Sequence, residues 1–363
     1  MPRRRRRRFI KPKGVVRRRV LRVVAVVLAV GAVIVGGFLA IVTALEYRPA
    51  DSARLTVERA EAGSEILHLA PGDTLTVLTF NVGYAGLGKG QDAKADGGAM
   101  ITVPQDDVAA NLEGILAALA SHTADAMLLQ QVDTGSRRSA GIDQAGEIHG
   151  AFPAMASVFA PDYRSSFVPY PIPPTGRIDS GMLTLTPFKP AQATRLALPT
   201  TLSWPKRLFQ PRPCLLVARI PVGSTRELVL VNVHLPATTD DGDRSAHIEA
   251  LRSLVSAEYS SGNYVVVGGS FGSSFPGAGF PEVSNRWVPP TLEIGPMVGA
   301  WTLATGQGAT ARLADKPWDG TNQLFAVDGF FASPNVELSQ VAVVDLGFEH
   351  SSHNPVTAVA TLK

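Results

Sequence analysis

The chain has 363 residues, of which 45% are apolar and 18% are charged, and this composition excludes wholesale disorder. A single cysteine excludes an intrachain disulfide and a cysteine-based zinc site. The net charge of +3 has two opposite parts, because residues 1–22 hold twelve Arg and Lys and no acid. Removing these twelve from 34 bases leaves 22 against 31 acids, so a basic tail precedes a body of net charge −9.

Residues 23–45 contain no charge and predict an uncleaved transmembrane helix, since about 20 apolar residues span the hydrocarbon core of a bilayer. A secretory signal peptide is the alternative, with Val42-Thr43-Ala44 as its cleavage site, but its apolar stretch usually has about 7–15 residues. Positively charged flanks stay in the cytoplasm. We therefore expect a single-pass protein of the cell membrane with a cytoplasmic tail (1–22) and an extracytoplasmic C-terminal body. Nucleic-acid binding is an alternative role for the arginine run.

After the apolar segment, residues 46–72 are mixed and polar and predict a stalk or linker. Apolar runs then predict strands at 75–81, 125–132, 181–186, 214–220, 227–235, 264–269, 325–332, 341–345 and 355–362. Helical spacing of apolar residues predicts amphipathic helices at 108–121 and 244–259. Strands and helices interleave without an obvious linker, which predicts one α/β domain with packed sheets over residues 73–363.

Polar residues collect where the predicted strands end, which is where a sandwich of sheets presents a site. They are Asn81, Gln131, Asn232, His234, Ser270, Asp328 and His353. Each residue alone is an ordinary turn or core residue. Their order along the chain is what predicts a common site.

The motifs that carry these residues are TFNVG at 79–83, LQQVD at 129–133, NVHLP at 232–236, GGSFG at 268–272, VDGFF at 327–331 and SSHNPV at 351–356. In this order they resemble the endonuclease/exonuclease/phosphatase superfamily, over residues 73–363. The stretches NVGYAGLGK at 81–89 and VPYPIPPTGRI at 168–178 are similar, more narrowly, to a bacterial membrane-anchored branch of that superfamily.

The resemblance implies a four-layer α/β sandwich, in which two packed mixed β-sheets are flanked by helices, and Mg²⁺-assisted hydrolysis of phosphate esters by an in-line water. It implies that Asp328 orients His353, which stabilises the phosphate or assists the leaving group. Asn232 and His234 are implied to line the same cleft as catalytic positions, and Asn81 is implied to bind substrate.

Four positions depart from the family pattern. Gln131 stands where the family has a metal-binding Glu, and Ser270 stands where it has the Asp that orients or deprotonates the water. Gly272 replaces an Asn that contacts the phosphate. Ser352 replaces an Asp that is implicated in metal or water contacts. Mg²⁺ needs anionic oxygen ligands, and a serine is no general base near pH 7. We therefore predict that the family's Mg²⁺ is lost here, name no metal ligand, and expect a pseudoenzyme that binds a ligand or partner.

Other functions remain open from the sequence. An active phosphodiesterase or phosphatase could use Asp133, Asp179, Asp328 or other nearby acids in a rearranged metal site, and a purely structural or assembly role would leave the cleft unused. Ser270 or Ser352 could also join a cleft histidine and Asp328 in a Ser-His-Asp arrangement. The expected partners are the membrane and a phosphorylated small molecule or a protein. Nucleic acid is a poor candidate, because phosphate backbones demand clustered bases.

Overall fold

The computed structural model describes residues 13–61, 67–122, 124–235, 241–283 and 288–363. Residues 1–12 of the predicted tail and the last residue of the NVHLP motif, Pro236, lie outside these ranges. The chain divides into two compact units, Met1–Glu46 and Tyr47–Lys363.

The first unit contains α1 (Lys13–Ala44), a helix of 32 residues. Its part Arg17–Ala44 is long and apolar enough to cross a membrane, a criterion that a secretory signal sequence also meets. The helix begins ten residues before the predicted span 23–45. The four arginines between Lys13 and Arg22, together with Lys13 and Leu21, are good helix formers and extend it into the basic tail.

The second unit contains three helices and sixteen strands within the described residues. The helices are α2 (Gln105–Ser121), α3 (Gln144–Ala151) and α4 (Asp241–Ser260). The strands are β1 (Ser52–Arg54), β2 (Val57–Glu58), β3 (Thr74–Asn81), β4 (Ala126–Asp133), β5 (Ala156–Val168), β6 (Gly176–Thr186), β7 (Gln192–Ala197), β8 (Cys214–Val222), β9 (Arg226–His234), β10 (Tyr264–Ser270), β11 (Thr302–Ala304), β12 (Ala311–Arg312), β13 (Leu324–Phe325), β14 (Asp328–Ala332), β15 (Val336–Val343) and β16 (Val356–Leu362).

These strands form two seven-stranded mixed sheets and a two-stranded ribbon of β12 and β13. The first sheet has the order β1-β7-β8-β9-β10-β14-β11, and the second has the order β15-β16-β3-β4-β6-β5-β2. Each sheet contains one parallel pair at its centre, β9 with β10 and β3 with β4. The other pairs in both sheets are antiparallel.

Three apolar cores define four layers. The core between the sheets joins Leu230 and Val266 of the first sheet to Val77 and Ala358 of the second. On the outer face of the second sheet, α2 and α3 pack on strands β3, β4 and β6. On the outer face of the first sheet, Leu251 and its neighbours in α4 cover β9 and β10. The predicted sandwich of two mixed sheets flanked by helices is confirmed.

Strand β9 illustrates why these residues form a sheet that is covered on both faces. Leu228 and Leu230 face the core between the sheets, whereas Val229 faces the core under α4. Side chains alternate between faces with a period of two residues. The same period places Asn232 and His234 on the inner face, further along the strand.

Part of residues 46–72 forms edge strands on both sheets. Strand β1 pairs with β7 in the first sheet, and β2 pairs with β5 in the second. Leu55 and Val57 pack against the core between the sheets. Burial of these apolar side chains stabilises an ordered conformation that the polar composition of the segment conceals.

Strand β5 is the longest element that the sequence did not predict. It contains Pro161 and Asp162, residue types that are depleted in strands. It also has two register irregularities against β6, so that its apolar residues follow no regular alternation. Strand β7 and helix α3 were missed as well, the predicted strand 325–332 is divided between β13 and β14, and β15 begins before the predicted 341–345.

A buried amide links the two sheets through their apolar interior. The Asn232 side chain of β9 is fully buried, and its Nδ2 donates to the carbonyl oxygens of Leu129 in β4 and Leu183 in β6, both at 3.1 Å. Its Oδ1 accepts a hydrogen bond of 2.8 Å from Gln130 Nε2. Buried polar groups need such partners, because an unsatisfied one keeps its full desolvation cost.

We expect Asn232→Ala in a chain of residues 47–363 to lower the free energy of unfolding by roughly 2–3 kcal/mol, because buried groups of β4 and β6 lose their partner. Urea denaturation followed by circular dichroism measures the change. Gln192→Ala, at an exposed position of β7, is the control and should change stability by less than about 0.5 kcal/mol. A loss as small as the control's would show that Asn232 does not link the sheets.

Candidate functional site

The inner faces of the central strands change from apolar to polar at the same end of the sandwich. In β3 the inner row passes from Leu75 and Val77 to Asn81, and in β9 it passes from Leu230 to His234. These ends surround a cleft of about 550 Å³. Seven of the nine sequence-predicted site residues line it: Asn81, Gln131, His234, Ser270, Gly272, Ser352 and His353. The structure therefore brings all four substituted positions to one place.

The other two predicted residues, Asn232 and Asp328, are buried behind the cleft rather than lining it. Asn232 is fully buried in the link between the sheets, so its placement as a cleft residue is corrected to a supporting one. Asp328 is 1% exposed and contacts His353.

The register of the first sheet aligns three of the motif residues. Ser270 ends β10, opposite His234 of the parallel strand β9 and opposite Asp328 of the antiparallel strand β14. Two glycines let this strand approach its neighbours. A Cβ on Gly269 would lie 2.0 Å from the Val233 carbonyl oxygen, and one on Gly268 would lie 2.6 Å from Leu128 Cδ1.

One imidazole of the cleft is held by a buried carboxylate. His353 Nδ1 lies 2.8 Å from Asp328 Oδ2. An ionised carboxylate only accepts hydrogen bonds, so Nδ1 carries the proton and Nε2 is left for the cleft. The loop is held by Ser351, whose Oγ accepts from the His353 backbone N–H and donates to the Asn81 carbonyl oxygen.

A second imidazole–carboxylate pair involves a residue that sequence analysis missed. His234 Nδ1 lies 3.1 Å from Oδ2 of Asp162, which is 6% exposed and belongs to β5. His234 Nε2 lies 3.4 Å from Gln131 Nε2. Asp162 is in none of the six motifs, and its one sequence signal is a carboxylate that directly follows the apolar run 156–161. The cleft thus holds two histidines, each oriented through Nδ1.

Gln131 enters the cleft through a β-bulge. The register of β4 against β6 shifts between Leu129 and Val132, and Gln131 has a φ of +53°. This left-handed conformation costs a residue other than glycine about 1–2 kcal/mol. Because of the bulge, two consecutive glutamines point to different sites. Gln130 donates a hydrogen bond to Asn232 between the sheets, and Gln131 lines the cleft.

Ser270 and Ser352 have small neutral side chains, and Gly272 has none. Ser270 and Ser352 are each 4% exposed, and Gly272 has a φ of +58° and no side chain. In the described part of the chain, neither serine hydroxyl is hydrogen-bonded to His234 or His353, and the Ser-His-Asp alternative therefore lacks its first contact. No group of three or more His, Cys, Asp or Glu in that part could hold a metal ion.

Asp133 and Asp179, two acids near the cleft, are paired with arginines. Asp133 is fully buried, accepts two hydrogen bonds from Arg138 and accepts a third from Ser139 Oγ. Asp179 pairs with Arg164 at 2.6 Å and with Arg177 at 3.4 Å. Neither acid lines the cleft, and both have cationic partners.

One wall of the cleft is cationic and aromatic. The Arg138 guanidinium carbon lies 3.9 Å from the centre of the Tyr84 ring, and both residues line the cleft. Burial alone would lower the pKa of Arg138, but the Asp133 carboxylate raises it on balance, so the arginine stays positive. Burial raises the pKa of Tyr84 to about 12, so the phenol stays protonated.

A further wall of the cleft is formed by Arg312 and by the loop between β3 and α2, for which the sequence predicted no helix or strand. Arg312 is 3% exposed, and its Nη2 donates to the carbonyl oxygens of Gly88 and Gln91 in that loop. Burial lowers the pKa of Arg312 to about 10. Asp96 lines the same wall, and burial raises the pKa of its carboxyl. No motif identifies an arginine that binds backbone carbonyls.

No protein-family model and no curated protein sequence matches the chain. Solved structures match its fold. An endonuclease/exonuclease/phosphatase from Beutenbergia cavernae has a TM-score of 0.53 and 15% identity, over 80% of this chain and 72% of that one. One from Bacteroides vulgatus has a TM-score of 0.51 and 14% identity, over 80% and 100%. ANGEL2, a 2′,3′-cyclic phosphatase, has a TM-score of 0.52 and 13% identity, over 80% and 96%.

At these identities the likeness concerns the fold. It agrees with the order of the six motifs and with the convergence of their residues on one cleft. The chain therefore has the fold of the endonuclease/exonuclease/phosphatase superfamily.

Proposed function

We propose that this protein is a membrane-anchored pseudoenzyme whose cleft binds a phosphorylated small molecule or a protein partner without hydrolysing it. One observation carries the proposal: the four substituted motif positions, Gln131, Ser270, Gly272 and Ser352, lie in the same cleft as His234 and His353. A single lost residue could be compensated. Four losses in one cleft remove metal binding, water activation and phosphate contact together.

The donor set of the cleft does not fit Mg²⁺. This ion prefers carboxylate oxygens in octahedral geometry, whereas the motif positions Asn81, Gln131, Ser270 and Ser352 offer neutral oxygens. The two carboxylates of the lining are engaged, Asp96 with the Ala314 backbone N–H and Asp162 with His234 Nδ1. Asn81 Oδ1 already accepts a hydrogen bond from the Gly83 backbone N–H. We infer that hydrolysis lacks its metal, and also its base, since a neutral serine cannot deprotonate water near pH 7.

The same cleft does fit an anion. Each histidine is held at Nδ1 by a carboxylate, so that Nε2 can donate to a phosphate oxygen when the ring is protonated. Arg138 and Lys94 add positive charge to the lining. Hydrogen bonds between charged partners are roughly twice as strong as neutral ones. The arrangement keeps donors for a phosphate, while Ser270 occupies the position at which the family has its water-activating Asp.

The alternative is an active phosphodiesterase or phosphatase with a rearranged metal site. It would use Asp133, Asp179, Asp328 or other nearby acids as ligands, and two acids, Asp96 and Asp162, line the cleft itself. Asp133 is paired with Arg138, Asp179 with Arg164, Asp162 with His234 and Asp328 with His353. Moving one of these four acids to a metal would break the contact that it makes with its arginine or histidine partner. The structure favours the binding role over this alternative.

Membrane anchoring is the second half of the proposal. The helix α1 supplies an apolar span, and the twelve bases of residues 1–22 favour a cytoplasmic N-terminus. The domain would then lie outside the cytoplasm. We do not propose a nucleic acid as ligand, because the body after residue 22 has a net charge of −9 and duplexes demand many basic contacts.

Restoring the family residues tests the loss of chemistry. We expect residues 47–363 to show no Mg²⁺-dependent hydrolysis of a nitrophenyl phosphodiester or phosphomonoester. The variant Gln131→Glu, Ser270→Asp, Gly272→Asn, Ser352→Asp should gain at least about 100-fold, the usual contribution of a positioned base. Adding His353→Ala to the restored protein is the control and should remove the gain. Wild-type turnover that disappears in His353→Ala alone would contradict the pseudoenzyme.

Ligand binding is tested by calorimetry. A thermal-shift panel of phosphorylated sugars, nucleotides and lipid headgroups selects the tightest ligand for titration. His353→Ala should weaken its binding at least about tenfold, because a hydrogen bond to a charged group is worth about 1.5–3 kcal/mol. His68→Ala, at an exposed residue that does not line the cleft, is the control and should bind like the wild type. Equal affinity in both variants would contradict a cleft site.

Anchoring is tested on the full chain. We expect it to stay with the membrane fraction after a carbonate wash and to keep residues 1–44, as measured by intact mass. A phosphatase reporter fused to the C-terminus should be active only outside the cytoplasm and serves as the readout of topology. A mature protein that begins near residue 45 would show that the apolar segment is a cleaved signal peptide.

A further inference from the structure

The end of β5 and the loops at 169–175 and 198–213 expose large apolar side chains to solvent. Ile172 is 93% exposed, Trp204 is 50%, Tyr170 is 44% and Phe167 is 38%. Single exposed apolar residues are ordinary, but a group of them on neighbouring loops indicates a surface that is covered in the working protein. We define the rim surface as six residues, namely these four and the exposed Arg137 and Lys206.

The two loops form one continuous surface. The Tyr170 ring packs edge-on against Phe209, with ring centres 6.1 Å apart, and Gln210 Nε2 donates to the Tyr170 hydroxyl at 2.7 Å. Arg137 joins them, since its Nη1 donates to the Pro174 carbonyl oxygen. The rim surface therefore has a defined shape, in which the apolar side chains project from loops that hydrogen bonds hold together.

The rim surface adjoins the mouth of the cleft. Tyr163, Pro211 and Pro213 line the cleft. The Tyr163 hydroxyl donates to the carbonyl oxygen of Phe209, the residue on which Tyr170 packs. Whatever covers the rim surface therefore also faces the cleft opening.

The chain around these loops has the opposite charge to the rest of the body. Residues 164–212 contain seven Arg and Lys and one acid, Asp179, in a body whose net charge is −9. Arg177 and Lys206 of this segment are exposed, whereas Arg195 is buried. Asp179 is itself paired with Arg164. Exposed aromatic and aliphatic side chains beside lysine and arginine are the composition of surfaces that bind the interface of an anionic bilayer. A protein partner explains the apolar side chains, but not the absence of acids.

We propose that the rim surface docks onto an anionic lipid bilayer, with Ile172 and Trp204 entering the interface and Arg137 and Lys206 meeting the headgroups. The docking goes beyond the proposed ligand binding and does not depend on it.

Vesicle flotation of residues 47–363 tests the docking. This unit is compact and contains the core between the sheets and both outer cores. We expect it to float with vesicles of 70% phosphatidylcholine and 30% phosphatidylglycerol, and to float at least tenfold less with pure phosphatidylcholine or in 1 M salt. Ile172→Ser should reduce the bound fraction at least fivefold. Val298→Ser, at a residue that is 87% exposed elsewhere on the chain, is the matched control and should float like the wild type.

Three outcomes would overturn the proposal. The first is that the wild type does not bind anionic vesicles, and the second is that Ile172→Ser and Val298→Ser reduce the bound fraction equally. The third is a dimer in solution that Ile172→Ser dissociates, which would assign the surface to a second copy. In the full chain in anionic nanodiscs, hydrogen exchange of residues 166–175 should slow relative to detergent. Ligand titration of Ile172→Ser separates the two proposals, because cleft binding should remain at wild-type affinity.

Discussion

The structure depends on a polar link buried between two apolar sheets. The Asn232 amide donates to carbonyl oxygens of the facing sheet and accepts from Gln130, and this fixes the position of β9 against β4 and β6. His234 lies two residues after Asn232 on the same face of β9, and Gln131 directly follows Gln130 in β4. The contact of His234 with Gln131 in the cleft is thus a consequence of the register that the buried amides set.

The cleft is supported both by residues buried behind it and by its own lining. Asn232 and Asp328 are buried behind it, whereas Asp162, which contacts His234, belongs to the lining. Gln131 and Ser270 also line the cleft. Removing a buried partner such as Asn232 would leave an uncompensated polar group. The position of the lining side chains therefore depends on hydrogen bonds made deeper in the sandwich.

Much of the fold could be predicted because its central strands carry clear patterns. The apolar runs of β3, β4, β9 and β10 end in motif residues, and their order alone indicated the sandwich. The edges could not be predicted. Strand β5 is interrupted by Pro161 and carries Asp162, and the polar segment around Leu55 is ordered by burial that no local pattern records. The exposure of Ile172 could not be predicted for the same reason, since it is a property of the folded loop.

The sequence by itself determined the apolar span, the opposite charges of tail and body, the order of the central strands and the identity of the changed motif positions, because each depends on residue type and spacing. Tertiary structure decided which polar residues meet. It turned Gln131 into the cleft through a bulge, withdrew Asn232 into the sandwich and brought Asp162 to His234. Contacts between residues about 70 to 100 positions apart depend on strand register, and register is set by packing across the whole domain.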